Sequence, residues 1–315
     1  MSSTLHFTKM HGLGNDFVML DTDQVKALNL NPDAQAERLS QLAISLCDRH
    51  FGIGADGVIF PVPATPGSGA DIRFVYLNSD GSRAEMCGNG IRCFALFVRD
   101  KGLVKSDAFV VETPAGLIKP KINPDRTVTV DMGAPILESG KVPFALADLP
   151  ADARALRHNI MVQDHAVPVT AISMGNPHAL IFQDELPAPL DPAVYGPLIE
   201  RHAAFPAKTN VEFVQLVDVK HLKVTVWERG CGFTLACGTG ACATAVGAIL
   251  LNKVENKVDV ELPGGSLTIE WDGNPKSSVW MSGPATYVFD GDVVLDAQGT
   301  TFLLNAPRIS QEAFV

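Results

Sequence analysis

The sequence predicts an α+β fold of two related halves, each a largely antiparallel sheet wrapped around a central buried helix. Three observations lead there. The chain has 315 residues, more than the roughly 250–300 at which a single core stops growing, so two domains are expected. Segments also repeat at nearly one spacing. Val111-Glu112-Thr113-Pro114-Ala115-Gly116 is answered 149 residues on by Val260-Glu261-Leu262-Pro263-Gly264-Gly265, and Met132-Gly133-Ala134-Pro135 by Met281-Ser282-Gly283-Pro284 at the same offset. Cys87-Gly88-Asn89-Gly90 is answered by Cys237-Gly238-Thr239-Gly240 at an offset of 150. That period is far longer than the roughly 20–50 residues of a solenoid repeat and fits a domain. Finally, most element-sized runs are short, rich in β-branched residues and bounded by Gly, Pro or Asp, while few read as helices.

Along the chain, Asn31 would cap a helix with Pro32 in its first turn and Leu39, Leu42, Ala43 and Leu46 as its apolar stripe. Gly52-Ile53-Gly54-Ala55-Asp56-Gly57 matches the letters of a dinucleotide fingerprint. That motif needs a strand before it and a helix after it. Here a helix ending near Cys47 precedes it and the strand-like Val58-Ile59-Phe60 follows, so a tight turn into a strand is expected. Strands are expected at 72–78, 109–113, 127–132, 171–174, 179–183, 211–217, 222–227, 258–262, 267–271 and 278–281. Between them lie two more helices. After Cys87, Ile91, Phe94, Ala95 and Val98 form one face, and Cys93, Leu96 and Phe97 leave little polar surface elsewhere. After Cys237, the run from Ala241 to Leu251 is apolar or small all round, so it should be buried on every side. The crossover between halves is expected around 135–143.

Composition narrows the function. With 46% hydrophobic and 19% charged residues the chain reads as a packed globule. A net charge of −10, no basic cluster and 7% aromatics argue against nucleic acid as a partner. No run reaches the roughly 18 apolar residues of a membrane span. Lys9 and His11 interrupt the first residues too early for a signal peptide, so a cytoplasmic protein is expected. The six cysteines then read as thiols rather than a disulfide framework.

Two of those thiols carry the chemistry. Each half presents Cys-Gly-x-Gly at the mouth of its buried helix, where free backbone N–H groups point at the sulfur and at any anion beside it. A helix N-terminus favours negative charge by roughly 0.3–1 kcal/mol, up to about 2 when partly buried. It should therefore lower a thiol pKa by around one unit and poise it for acid/base work near neutrality. One such thiolate could take a proton from a carbon while the other thiol returns one to the opposite face, which inverts the centre. Cys47, Cys93, Cys231 and Cys242 read as small buried residues instead. A metal site is not expected, because no C-x-x-C pair exists and no His sits at ligand spacing from a Cys. Polar clusters elsewhere suit a zwitterionic amino acid: His11 to Phe17, Ser173 to His178, Asn78, Asn210, and Glu228-Arg229, whose carboxylate and guanidinium are what an amine and a carboxylate need.

Taken together, four stretches resemble the diaminopimelate epimerase family. They are Lys9-Met10-His11-Gly12-Leu13-Gly14-Asn15-Asp16-Phe17, then Asn78-Ser79-Asp80-Gly81-Ser82 through Met86-Cys87-Gly88-Asn89-Gly90-Ile91-Arg92-Cys93, then Met174-Gly175-Asn176-Pro177-His178, and Trp227-Glu228-Arg229-Gly230 through Ala236-Cys237-Gly238-Thr239-Gly240-Ala241. The resemblance spans residues 5 to about 290. It implies interconversion of LL- and meso-diaminopimelate for lysine and peptidoglycan precursors, without pyridoxal phosphate, metal or other cofactor. It implies that Cys87 and Cys237 are proton donor and acceptor, exchanging roles with direction. Backbone amides of Gly88, Asn89, Gly238 and Thr239 would hold the reacting carboxylate. Asn15, Asn78, Asn176, Asn210 and Arg229 would bind the substrate, Glu228 would contact an amine, and His178 with Glu228 would tune the thiols. Two pseudosymmetric domains are implied, 1–133 completed by about 285–315, and 134–284, together with a homodimer. A related racemase of proline or hydroxyproline is the alternative; such relatives lack the Glu-Arg and multiple-Asn set for a second amino-acid centre. The chain departs from the family at Gly57, where many members carry Gln; at Phe233 and Cys231, where Glu and Ala are common; and in a tail over 291–315.

Overall fold

The computed structural model describes residues 3–84 and 86–295. In chain order these form β1 (Ser3–Gly12), β2 (Asn15–Met19), α1 (Thr22–Ala27), α2 (Ala36–Cys47), β3 (Gly57–Val62), β4 (Ile72–Asn78), α3 (Gly88–Asp100), β5 (Val111–Thr113) and β6 (Gly116–Ile118). Next come β7 (Lys121–Ile122), β8 (Val128–Asp131), β9 (His158–Val162), β10 (His165–Ser173), β11 (Pro177–Phe182), α4 (Pro192–Glu200), β12 (Asn210–Asp218) and β13 (His221–Glu228). The chain ends with β14 (Gly232–Phe233), α5 (Gly238–Leu250), β15 (Lys257–Leu262), β16 (Gly265–Glu270), β17 (Trp280–Gly283) and β18 (Thr286–Leu295). They divide into two units, one up to Lys119 and again from Ala285, the other Pro120–Pro284.

The first unit is a sheet ordered β18-β1-β2-β3-β4-β5-β6, and the second a sheet ordered β7-β8-β17-β16-β15-β13-β12-β11-β10-β9, with β14 beside β13. Each sheet is mostly antiparallel and has two parallel junctions. In the first they are β2 with β3 and β4 with β5. In the second they are β11 with β12 and β13 with β15. Parallel neighbours cannot be joined by a tight turn and need a crossover. The crossovers match: α2 and α4 serve the first junction of each unit, α3 and α5 the second. The sequence repeat is thus a repeat of topology.

The last helix of each pair is the core. Ile91, Phe94, Ala95 and Val98 of α3 are buried as expected, with Cys93, Leu96 and Phe97. α3 packs on β1, β2 and β3. In α5 every residue from Gly240 to Ile249 is buried, and the helix meets β10–β13 and β15–β17. With no polar stripe to keep wet, α5 is stable only inside a sheet that closes round it.

Three expectations need correction. The boundary falls between Lys119 and Pro120 rather than at 133, because β8 pairs antiparallel with β17 (Val130 opposite Met281) and so is bound into the second sheet. α2 starts at Ala36, not after Asn31. The Asn31 side chain accepts from Asp33 N (2.9 Å) and its carbonyl from Gln35 N (3.0 Å), which makes a separate turn that spends the cap before the helix begins. Cys231 is exposed rather than buried. The glycine-rich motif does lead from α2 into β3. Gly57 cannot carry a side chain here: a Cβ would lie 2.3 Å from the Tyr76 ring and 2.6 Å from the Leu77 carbonyl. Of the tail, 291–295 belongs to β18, which pairs antiparallel with β1; the remainder lies outside the described residues. Among the described residues no helix is long and apolar enough to cross a membrane.

Candidate active site

In the first unit the polar residues gather where α3 begins. Cys87 is its N-cap, with extended backbone (φ −140°, ψ 120°), and its Sγ accepts the Gly90 N–H at 3.4 Å. The Ile91 N–H returns to the Cys87 carbonyl, so the N–H groups of Gly88 and Asn89 have no acceptor within the helix. Asn15, at the start of β2, places Oδ1 3.5 Å from Cys87 Sγ and 3.3 Å from Asn89 Nδ2. Its own amide donates to Asp56 (2.7 Å), which fixes which end of the side chain faces the sulfur. Asn89 Oδ1 accepts from the fully buried Arg92 guanidinium at 3.0 Å, and Arg92 also donates to the Gly88 carbonyl. Asn78 ends β4 opposite Gly57, and its amide donates to Ser82 Oγ at 2.9 Å.

The second unit repeats this geometry with different side chains. Cys237 caps α5 (φ −122°, ψ 106°) and its Sγ accepts the Gly240 N–H, again at 3.4 Å; Thr239 Oγ1 is 3.5 Å away. The Ala241 N–H returns to the Cys237 carbonyl, so the N–H groups of Gly238 and Thr239 have no acceptor within the helix. His178 on β11 lies opposite Asn210 on β12. Asn210 donates to the Pro177 carbonyl (3.0 Å) and accepts from Arg229 N (2.9 Å). His178 Nε2 faces Asn176 Oδ1 at 3.0 Å and Nδ1 faces Glu212 Oε1 at 2.6 Å. Glu228 accepts from Thr234 Oγ1 (2.6 Å) and Arg229 donates to the Ala207 carbonyl. Each unit therefore places one cysteine sulfur and two N–H groups without an intrahelical acceptor at the mouth of its buried helix, and has an asparagine at a strand start.

The diaminopimelate epimerase family profile matches residues 7–138 and 170–288. The chain belongs to the diaminopimelate epimerase family. A diaminopimelate epimerase from Synechococcus sp. (strain JA-2-3B'a(2-13)) is 47% identical over 92% of this chain and 99% of its own. Diaminopimelate epimerase 1 from Nostoc sp. (strain PCC 7120 / SAG 25.82 / UTEX 2576) is 46% identical over 91% and 99%. Among solved structures, a hydroxyproline epimerase from Agrobacterium vitis superposes with a TM-score of 0.63 at 17% identity, over 96% of each chain. That likeness is one of fold.

Membership in the diaminopimelate epimerase family sharpens one disagreement with the sequence reading. The Cys237 thiol is not lowered. Burial, then the carboxylates of Glu228 and Glu212, push it well above its ordinary value, against the Thr239 hydroxyl and the Gly240 N–H. A helix mouth supplies at most about 2 kcal/mol, whereas full burial can shift a group by roughly 3–5 pKa units. Glu228 is itself pushed up, by burial first and then by Glu212. The inert thiols Cys47 and Cys93 are each raised by burial to about 12.

Sequence reasoning passed over three residues that shape these sites. Asp56 orients Asn15. Glu200, buried, accepts from Trp227 Nε1 (2.9 Å) and Gly230 N (3.1 Å), and so holds the turn that carries Glu228 and Arg229. Glu212 sits beside His178. Glu200 and Glu212 are single acids inside or next to apolar runs with no motif to mark them, and Asp56 lies in the glycine-rich stretch 52–57, which reads only as a turn. His178, Glu212 and Cys237 offer ligand atoms within 4.8 Å of one another. Two zinc ligands at about 2.0–2.2 Å in a tetrahedron stand roughly 3.3 Å apart, so the 2.6 Å His178–Glu212 contact is a hydrogen bond rather than a metal cradle. Phe233 covers the Trp227 indole edge-on, ring centres 5.1 Å apart.

Proposed function

We propose that this chain interconverts LL- and meso-diaminopimelate by a two-base proton exchange at one Cα, with Cys87 and Cys237 as the two bases. The observation that carries this is the duplication of one arrangement: a cysteine N-cap whose sulfur accepts the N3 N–H at 3.4 Å, on a buried helix, in each unit. One thiolate takes the Cα proton, the electron pair passes toward the substrate carboxylate, and the other thiol gives a proton to the opposite face. Nothing is oxidised or reduced. The N–H groups of Gly88, Asn89, Gly238 and Thr239, which have no acceptor within their helices, suit the growing charge on that carboxylate. The raised Cys237 pKa lowers the thiolate population at neutral pH, and the thiolate that does form is the stronger base. Asn15, Asn78, Asn176, Asn210, Glu228 and Arg229 supply the polar contacts for the remaining amino-acid groups, with His178 and Glu228 influencing the thiols.

The test is incubation with LL-diaminopimelate in D₂O under reducing conditions. Deuterium should enter Cα as the meso form accumulates. No incorporation, with turnover of proline or hydroxyproline instead, would replace this reading by the related-racemase one. We further propose a cytoplasmic homodimer. β18 ends the described sheet and exposes Tyr287, Val288 and Phe289. Light scattering should give twice the 33.6 kDa chain mass; a single-chain mass at micromolar concentration contradicts the dimer.

A further inference from the structure

β12 carries a buried acid that the two-thiol chemistry does not use. Glu212 and His178 both have no solvent exposure, and Glu212 Oε1 lies 2.6 Å from His178 Nδ1. The other carboxylate oxygen, Oε2, is buried with no hydrogen-bond partner among the described residues. Burying an acid costs several kcal/mol unless it is well paired, and an orphaned buried oxygen calls for a reason beyond packing. The surroundings give one. A Cβ at residue 240 would stand 2.7 Å from Glu212 Oε1 and 3.2 Å from Cys237 Sγ, so the carboxylate, the sulfur and the first turn of α5 converge on Gly240. His178 is held from both sides, by Glu212 at Nδ1 and Asn176 at Nε2. The tautomer and ring plane of an imidazole are set by what its ring nitrogens bond to.

We propose that Glu212 is a positioning residue for the epimerisation, accepting the Nδ1 proton of His178 and holding the ring fixed beside the Cys237 thiol. It acts through His178 and touches no substrate. The inference rests on the epimerase reading for its rate measurements, but not for its spectroscopic one.

Three variants test it. Glu212→Leu fills the volume and removes the acceptor; Glu212→Ala replaces it should the leucine variant not fold. Glu212→Gln keeps an acceptor of the same shape. Loss of the acceptor should lower kcat by at least roughly 10–100-fold, the range for losing a partner that orients a metal-bound histidine. KM should stay within about threefold of wild type. In ¹⁵N-histidine NMR, with the signal assigned through His178→Gln, the Nδ1–H state of His178 should be fixed in wild type and lost in the leucine or alanine variant. Glu212→Gln should restore that state and most of kcat. The proposal is overturned by a kcat within twofold of wild type without the acceptor, by an unchanged His178 spectrum, or by no recovery in Glu212→Gln. If the wild-type chain leaves LL-diaminopimelate unexchanged, the epimerase reading fails by itself, and the spectrum still decides the pairing.

Discussion

Cys87→Ala and Cys237→Ala should each stop inversion in both directions, lowering kcat by roughly 10²–10⁴, the usual contribution of a positioned general acid or base. The expectation is symmetrical because the two sulfurs sit in the same local geometry, each on an N–H at 3.4 Å. Inversion requires a proton to leave one face and another to arrive on the opposite face, so either loss leaves a face unserved. Stability should hardly change. Cys87 is half-buried, and removing one buried sulfur at Cys237 costs about 1 kcal/mol by analogy with small core truncations. Thermal melts alongside steady-state rates in each direction separate the two effects. Near-normal turnover in either variant would remove the two-base mechanism.

The largest stability effect is expected at Asp16. Its Oδ2 is 2.7 Å from the Lys9 ammonium, and both side chains are largely buried, 8% exposed for Lys9 and 17% for Asp16. Lys9 also donates to the Gly54 carbonyl. Arg49 Nη2 bridges Asp16 and Asp56 at 2.8 Å each. Removing one partner of a buried pair strands the other charge, so Asp16→Asn should lose about 3–5 kcal/mol at pH 7. The pH dependence has a definite sign. Burial raises the Asp16 pKa, but hydrogen bonds from Arg49 and Lys9 and their charges outweigh it and bring it from 3.8 to about 2. A folded pKa below the unfolded one stabilises the fold above the unfolded value, and that stabilisation fades as pH falls from about 4 to about 2. It amounts to about 2 kcal/mol. Denaturant titrations should therefore show the gap between wild type and Asp16→Asn narrowing between pH 7 and pH 3. A gap under 1 kcal/mol at pH 7 would show the network to be dispensable. The variant should also weaken catalysis, since Asp56 in the same network orients Asn15 toward Cys87.

Local signals proved legible where one short segment contains both cause and effect. Cys-Gly-x-Gly before an apolar run gives a cysteine N-cap in both units, because the cap bond joins residues three apart. The glycine-rich turn before Val58 was readable from what flanks it. α4 was not: it carries Pro192, Gly196 and Pro197, a poor helix by propensity. Tertiary packing secures it, with Gly196 so near Trp227 that a Cβ would stand 2.7 Å from the indole. β18 is implied only by the resemblance, which returns the segment from about 285 to the first unit; the strand pattern itself does not mark it, because five consecutive residues, Thr286 to Asp290, are exposed and the inside–outside alternation of a strand is absent.

The sequence by itself determined that one unit is used twice, which thiols cap the buried helices, and which family the motifs resemble. Those facts lie in repeats and in contacts between near neighbours. Tertiary structure alone decided that 120–133 joins the second sheet, that Asp56, Glu200 and Glu212 support the sites, and that Cys237 is raised rather than lowered. Each of these depends on strand register or burial. Such quantities come from residues far apart in the chain, and desolvation can outweigh the local helix field that the sequence does display.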